Sequence, residues 1–474
     1  MSDTYADIIS RRMFGGSMYN ADSQDDLPEW ANYSFDPDDE GSDSSTIANR
    51  VLSAYRNNVW VKRVVDSKVA LEVGDGIRMQ PNTGNKTLDD AISELISDSY
   101  YNSSLSDDMS LSGIQAQSVR SKLFSGNSFL NINYSGDTTE TPTAIRFQSI
   151  DNVLHAEYGE NQGIVLNQNG KPTGYQFYKS VNNQEVVTVG KDYIIHHFNR
   201  IRAGQLKGVS EIAQILPKAY SFEKYNQSEL HRKKIRSTFS GVIEKPVSSE
   251  CEWAYDPVTG QKLDYDRSAL PSVEIQSGTF ANLLSGESLK LFDGDTSGDG
   301  YADFQHWQLL AMASGVNLPF QLLSGDFASI NDRLWRAIFN DLKRSLEANH
   351  YNSLVPQLIR PMYLAIVSEG IESGYIKQPK SVSDFAVRRA VFKMQPFPYI
   401  NLAQDINAKQ IAVEEGFIAR STVIDELNNG DITREQLDTM RKADKATDID
   451  TSADRWSTQT PQPQPQPQNS GDNQ

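Results

Sequence analysis

The apolar pattern predicts an α+β protein of antiparallel pieces with a two-helix rod inserted at its middle. Three observations carry this. Short runs of alternating apolar residues recur between 128 and 198, the period of half-buried strands. Helical spacing governs 46–125 and returns beyond 209. An irregular stretch rich in Pro, Gly and brief alternations, 240–300, lies between two helical segments, 209–239 and 301–316. If those helices run antiparallel, everything between them is carried at the tip of a rod. A rod between two larger mixed regions reads as a part for an assembly.

Composition narrows the class. The chain has 474 residues and 38% hydrophobic content, enough for sizeable cores and two to four domains. Forty-five basic against sixty-two acidic side chains give a net charge of −17, which disfavours tight sequence-independent capture of nucleic acid by the bulk surface. The lone cysteine, Cys251, has no second thiol to pair with, which suits a reducing compartment. No apolar run is long enough for a membrane span, and the first residues lack the basic start and apolar stretch of a secretory signal.

Residues 1–45 are polar and acidic and are expected to stay extended. A helix follows, capped by Ser45 or Thr46, with Ile47, Val51 and Tyr55 on one face and Leu52 beside them. It is expected to continue through Asn57–Asp66 and to close on Gly74 and Gly76, which permit a positive-φ turn into a strand. Residues 88–125 read as a further helical region, with Leu88, Ile92 and Leu95 in register. Strands are expected at Ser128–Tyr134, with Leu130, Ile132 and Tyr134 on one face, and at Ala144–Ile150, pairing with Gly163–Leu166 and Gly174–Tyr178. A last strand is expected at Tyr193–Phe198, so that 46–208 make one α+β unit. Pro217 either kinks the first rod helix or marks its start.

After the second rod helix, 318–331 read as a loop before a helix whose Leu334, Trp335, Ile338, Phe339, Leu342 and Leu346 form one apolar face, for core or subunit packing. An adjustment at Pro356 and a break at Pro361 are expected, and 317–397 complete the larger unit. Pro396-Phe397-Pro398-Tyr399 sets off three short helices within 398–446, with Ser421 and Thr433 as caps and Gly416 and Gly430 as terminators. From 447 the chain becomes a low-complexity Pro/Gln tail.

The chemistry is sparse. Arg202–Gly208 has glycine and lysine but no Gly-Lys-Ser/Thr ending, so it is no phosphate loop. The Asp293–Gly300 run invites a calcium reading, yet its twelfth position is Phe304 counted from Asp293 and His306 counted from Asp295, where a glutamate is required. A solvated acidic turn is the better reading. His196 and His197 alternate across a strand and cannot share a metal. Neither an HExxH pair nor a nucleophile elbow is present, so no enzyme, cofactor or metal site is expected. His231-Arg232-Lys233-Lys234-Ile235-Arg236 is the densest positive cluster. It either offsets the dipole of a helix C-terminus or meets phosphates.

Several stretches, in this order, resemble the lambda-like portal family of tailed bacteriophages. They are Arg56–Trp60 leading to Gly74–Ile77, Gly126–Phe129, Asn169–Tyr178, Ile194–Phe198 with Arg202–Ser210, Leu284–Glu287, Leu309–Val316, and Ala408–Gln410 with Glu415–Ile418. Ala203 and the run Ala328–Arg333 depart from the family's pattern, which bears on residue-level transfer in that second loop.

The resemblance implies a portal fold: wing at 46–208, stem at 209–239 and 301–316, clip at 240–300, crown at 398–446. It implies a ring of about twelve copies at one capsid vertex. Double-stranded DNA would pass through its channel during packaging and ejection. Expected partners are the terminase large subunit, a head-tail adaptor, and the major capsid and scaffolding proteins, with no membrane involved. The protein would be made in the host cytoplasm and reside in the virion. On this reading Arg232, Lys233, Lys234 and Arg236 form a sparse basic band. Asp326, Phe327, Ser329 and Asn331 belong to a tunnel loop near DNA. Another structural head component, connector or minor capsid protein, is the alternative, and a calcium-dependent binding module a more distant one.

Overall fold

The structure is a computed structural model that describes residues 44–105, 108–134, 136, 142–157, 161–238, 241–244, 288–291, 300–328, 330–395, 402–427 and 434–446. The expected acidic arm, most of the rod tip with Cys251 and the Asp293 run, the Pro396–Tyr399 stretch, Gly430, Thr433 and the Pro/Gln tail lie outside them.

Helix α1 (Ser44–Asn57) does not run on as expected. The Asn58 side chain accepts hydrogen bonds from the backbone N–H of Trp60 and Val61 at 3.0 and 3.1 Å and so starts a new helix, α2 (Val59–Glu72). That helix buries Val61, Val64, Val65 and Val69. Gly74 and Gly76 take positive φ, as read, and feed β1 (Arg78–Pro81). The 88–125 region is helical, as read, in two pieces: α3 (Lys86–Asp98), which buries Leu88, Ile92 and Leu95, and α4 (Leu111–Ser125), capped by Ser110.

Strand β2 (Asn127–Asn133) is central, flanked antiparallel by β3 (Arg146–Ile150) and β7 (Ile194–Phe198). This corrects the expected pairing of Ala144–Ile150. Its partner is β2, while β4 (Ile164–Leu166) and β5 (Pro172–Ser180) form a separate sheet with β6 (Asn183–Gly190). Alternation identifies a strand's faces and not its neighbour. Strand β6 escapes the apolar pattern because it lies largely exposed. Both faces of β2 are buried. Leu130 and Ile132 enter the main core, whereas Phe129 joins Ile164, Tyr175, Phe177 and Ile194 in a second one. Tyr134 falls past the strand end and is half exposed.

After the rod, described below, α7 (Phe320–Ser324) is a short helix where a loop was expected. Helix α8 (Asp332–Asn349) passes into a π-helical segment, His350–Ile359, and then into α9 (Arg360–Glu372). The widened segment accommodates Pro356, which has no N–H to donate to the ladder. Pro361 then sits in the first turn of α9 and breaks nothing. Met362, Tyr363, Ile366 and Val367 complete the main core, and beyond a short helix α10 (Asp384–Val387) strand β10 (Ala390–Lys393) pairs with β1. The 46–208 unit therefore closes only with residues from 350–395. Three helices end the described chain: α11 (Leu402–Glu414), α12 (Arg420–Leu427) and α13 (Arg434–Ala446). Gly416 has the expected positive φ, but Ser421 is inside α12 and does not cap it.

Gly126, at φ 85°, and Gly208 meet at close backbone contact. A Cβ on Gly208 would lie 2.3 Å from the Gly126 carbonyl oxygen, and one on Gly126 would lie 2.4 Å from that of Gly208. Both obstacles are backbone. Gly208→Ala is expected to destabilise the protein by about 2–4 kcal/mol through overpacking against a main chain that cannot yield. A denaturation midpoint equal to that of the wild type would refute this.

Candidate functional site

The rod is an antiparallel hairpin of α5 (Leu216–Thr238) and α6 (Tyr301–Gly315). Pro217 marks the start of α5, where a missing N–H costs nothing, and residues 210–215 form turns before it. Near its base α5 buries Ala219 and Phe222, the latter 6.2 Å from the Trp60 ring, and α6 buries Leu309, Met312 and Ala313. Gly315 meets Ile215 there. Further out the Asn226 Oδ1 accepts hydrogen bonds from Tyr301 Oη and Gln305 Nε2 at 3.3 and 3.0 Å. Tyr225 lies between Tyr301 and Phe304, 6.0 and 4.5 Å away. At the tip, β8 (Gly241–Glu244) pairs antiparallel with β9 (Ser288–Leu291).

The basic cluster sits on the last turns of α5, and two of its charges are engaged within the hairpin. Arg232 holds the buried Glu229 at 2.6 Å, which raises the guanidinium further above its ordinary range. Lys233 Nζ lies 5.1 Å above the Tyr301 ring, a cation–π contact that bridges the two helices. Lys234 is exposed, and the Arg236 side chain lies outside the described residues. The other candidate residues belong to the α7–α8 connection, a separate place in the fold. Asp326 Oδ1 accepts from the Ala328 N–H at 3.0 Å and shapes the loop, Phe327 stands exposed at its turn with its ring 5.4 Å from Trp335, and Asn331 caps α8 through the Leu334 N–H. Ser329 lies outside the described residues. Arg63 Nε donates to the Leu322 carbonyl at 2.9 Å, so the loop springs from an anchored turn.

Sequence reading missed the root of the hairpin. Lys122 is 2% exposed, with Nζ 3.4 Å from the buried Glu72 and 4.0 Å from Glu211, which begins the turn before α5. Lys68 also pairs with Glu211, and Asn199 donates to the same carboxylate. Asn199 Oδ1 in turn accepts from Ser353 of the π segment at 3.2 Å. Burial by itself would raise the Glu211 carboxyl, but the charges of Lys68 and Lys122 outweigh it and hold the pKa below the ordinary value. A second clasp lies alongside. Asn127 bonds the Gly208 backbone in both directions, at 3.0 and 2.7 Å, and its Oδ1 also meets His196 Nε2 at 3.1 Å. The neighbouring Lys207 is buried in an ion pair with Glu157. Lys122 stands in a mixed run, Arg120-Ser121-Lys122-Leu123-Phe124, which gives no local sign of burial, and its partners Glu72 and Glu211 lie far off in sequence.

A family model described as phage portal protein, lambda family, matches residues 24–349. The chain belongs to that family. The match takes in both helices of the hairpin and ends at the last residue of α8. The portal protein of Escherichia phage N15 is 20% identical over 233 residues, 46% of this chain and 42% of that protein. Portal protein B of Escherichia phage lambda is 19% identical over 224 residues, 44% of this chain and 40% of that one. The alignments thus span less than half the length of either portal protein. Among solved structures, a chain of the neck of an empty GTA particle computed with C6 symmetry is similar at 14% identity and TM-score 0.46, covering 84% of this chain and 95% of its own. One from the neck of a native GTA particle computed with C12 symmetry is similar at 13% identity and TM-score 0.45, covering 80% and 91%.

Two outcomes follow for this portal-family root. Lys122→Met strands the Glu72 carboxylate and is expected to cost about 3–5 kcal/mol, of which the added Glu72→Leu restores more than half. Equal stability of the single and double variants in chemical denaturation would contradict the pairing. Because Glu211 has a lowered pKa, its contribution to stability is complete above the unfolded carboxyl value of about 4.3 and is lost as pH falls through the lower folded value. Melting temperature should therefore drop more steeply below that pH in the wild type than in Glu211→Gln. Parallel acid limbs for the two proteins would contradict it.

Proposed function

We propose that copies of this chain form a ring at one vertex of a phage capsid, with a central channel through which double-stranded DNA is packaged and ejected. The observation that carries the reading is the hairpin itself. Its base is fixed in the wing core, while farther out large apolar side chains stand in the open, with Leu230 at 54% and Trp307 at 65% exposure. The first half of the α8 apolar face is also uncovered, with Leu334 exposed and Trp335, Ile338 and Phe339 partly so. Apolar ridges on a rod find cover when identical rods stand side by side around an axis. Membership in the portal family supports the same arrangement.

In this ring the chain acts as a conduit and carries no catalysis or cofactor of its own. Cations that release counterions hold DNA, so a channel for sliding should mute them. The engagement of Arg232 by Glu229 and of Lys233 by the Tyr301 face does that, against a net charge of −17. Asp326 and the exposed Phe327 stand on a loop suited to brush the duplex. The tip of the rod receives the terminase large subunit during packaging and a head-tail adaptor afterwards. The wing meets the major capsid and scaffolding proteins. The protein is made in the bacterial cytoplasm and becomes part of the virion. Among the described residues no helix is long and apolar enough to cross a membrane.

Negative-stain imaging of the purified full chain is expected to show rings with a central hole. Trp307→Asp together with Leu334→Asp should shift the protein to monomers in size-exclusion chromatography while leaving its far-UV dichroism intact. A wild-type monomer at all concentrations, or rings that persist in the double variant, would overturn the proposal.

A further inference from the structure

Helices α11, α12 and α13 enclose a groove of about 460 Å³. Its floor is apolar, with Ile406, Val413, Ile424 and Leu427, and Arg420 and Arg441 stand on its lining. The carboxylate among the lining residues, Glu414, is engaged by Gln410 Nε2 at 2.8 Å. Arg441 meets Asp438 only at 3.7 Å with both side chains about half exposed, and Arg420 is exposed. The groove therefore offers an apolar trough edged by positive charge.

The chain itself supplies a match. Residues 447–474 follow α13 directly, and α13 carries Arg441 into the groove. Between Thr447 and Gln474 the large apolar residues are Ile449 and Trp456 alone, and both fall before the Pro/Gln run that starts at Pro461. Around them stand Asp448, Asp450 and Asp454 against one cation, Arg455. Two apolar anchors set among carboxylates complement an apolar floor edged by arginines. Reach is no obstacle. Arg441 lies five residues before the end of α13, about 7.5 Å along the helix, and the ten residues from Ala446 to Trp456 span up to about 33 Å extended.

We infer that the segment Asp448–Trp456 docks in this groove, seating Ile449 and Trp456 on the floor and its carboxylates against Arg420 and Arg441. Attachment to α13 holds the segment at an effective concentration in the millimolar range, so a modest intrinsic affinity suffices to keep it seated. The docked segment would brace three short helices that bury little surface among themselves. This inference does not depend on the ring reading and holds for a single chain.

Hydrogen exchange on the full chain tests it. In a variant carrying Ile449→Ser and Trp456→Ser, peptides from 402–427 are expected to exchange about tenfold faster than in the wild type, the effect of uncovering roughly one large side chain's worth of apolar surface. Gln462→Ser, in the Pro/Gln run, should leave the rates unchanged. Equal exchange in the wild type and the double variant overturns the inference, whether the groove proves open or covered by another chain. Circular dichroism of the variants separates loss of docking from loss of the helices.

Discussion

The position of the hairpin depends on one amine withdrawn from water. Lys122 sits between Glu72 on α2 and Glu211 at the root of α5, and it is 2% exposed. A buried ammonium is tolerable only when its partners are in place, so α2, α4 and the root of the hairpin must adopt one mutual arrangement. Asn199 extends the constraint to the π segment through Ser353. The network adds little net stability compared with an apolar core of the same volume, and its effect is to exclude other placements of the rod. In the proposed ring that constraint matters, because small errors at the root grow along the rod.

The second clasp removes the freedom the charges leave. Gly126 and Gly208 touch through their backbones, and Asn127 fills the adjoining bonds with its own amide. Strand β2 begins at the same place and is buried on both faces, so the clasp is tied at once into both cores. His196 and His197 show how the strand divides its surroundings. His196 stacks on Phe129 and Phe198, 4.4 and 4.5 Å away, while His197 faces Ser118 on the other side. Burial lowers the pKa of both, aided by nearby cations, so they serve as neutral packing groups.

What the sequence disclosed follows from the range of the interactions. The two rod helices were legible because helical periodicity is local, and Pro217 and Gly416 acted where local rules put them. The partner of β3 was not legible, because alternation carries no information about a neighbouring strand. Asn58 was overlooked as a cap because its flanks are helical on both sides, and only the two hydrogen bonds from Trp60 and Val61 reveal the break. The Gly126–Asn127 and Lys207–Gly208 runs were visible as parts of a family resemblance, but nothing local says that they touch across 81 residues. For the basic cluster, composition gave the charges and could not give Glu229 and Tyr301 as the groups that occupy two of them.

The hairpin also divides along its length, and the division bears on assembly. Phe222 on α5 is buried and Leu230, about two turns later, is exposed. On α6 the order is reversed, from the exposed Trp307 to the buried Met312. The inner half thus draws its stability from the main core, while the outer half rests on the Tyr225–Tyr301–Asn226 contacts and a few polar bonds. Helices with an uncovered apolar ridge gain most of their stability from tertiary packing, which one chain does not supply here. In the proposed ring the neighbouring hairpins supply it, so assembly and completion of the rod are linked equilibria. Protein concentration would then stabilise the outer rod and leave the root, already closed by Lys122 and the glycine clasp, unchanged.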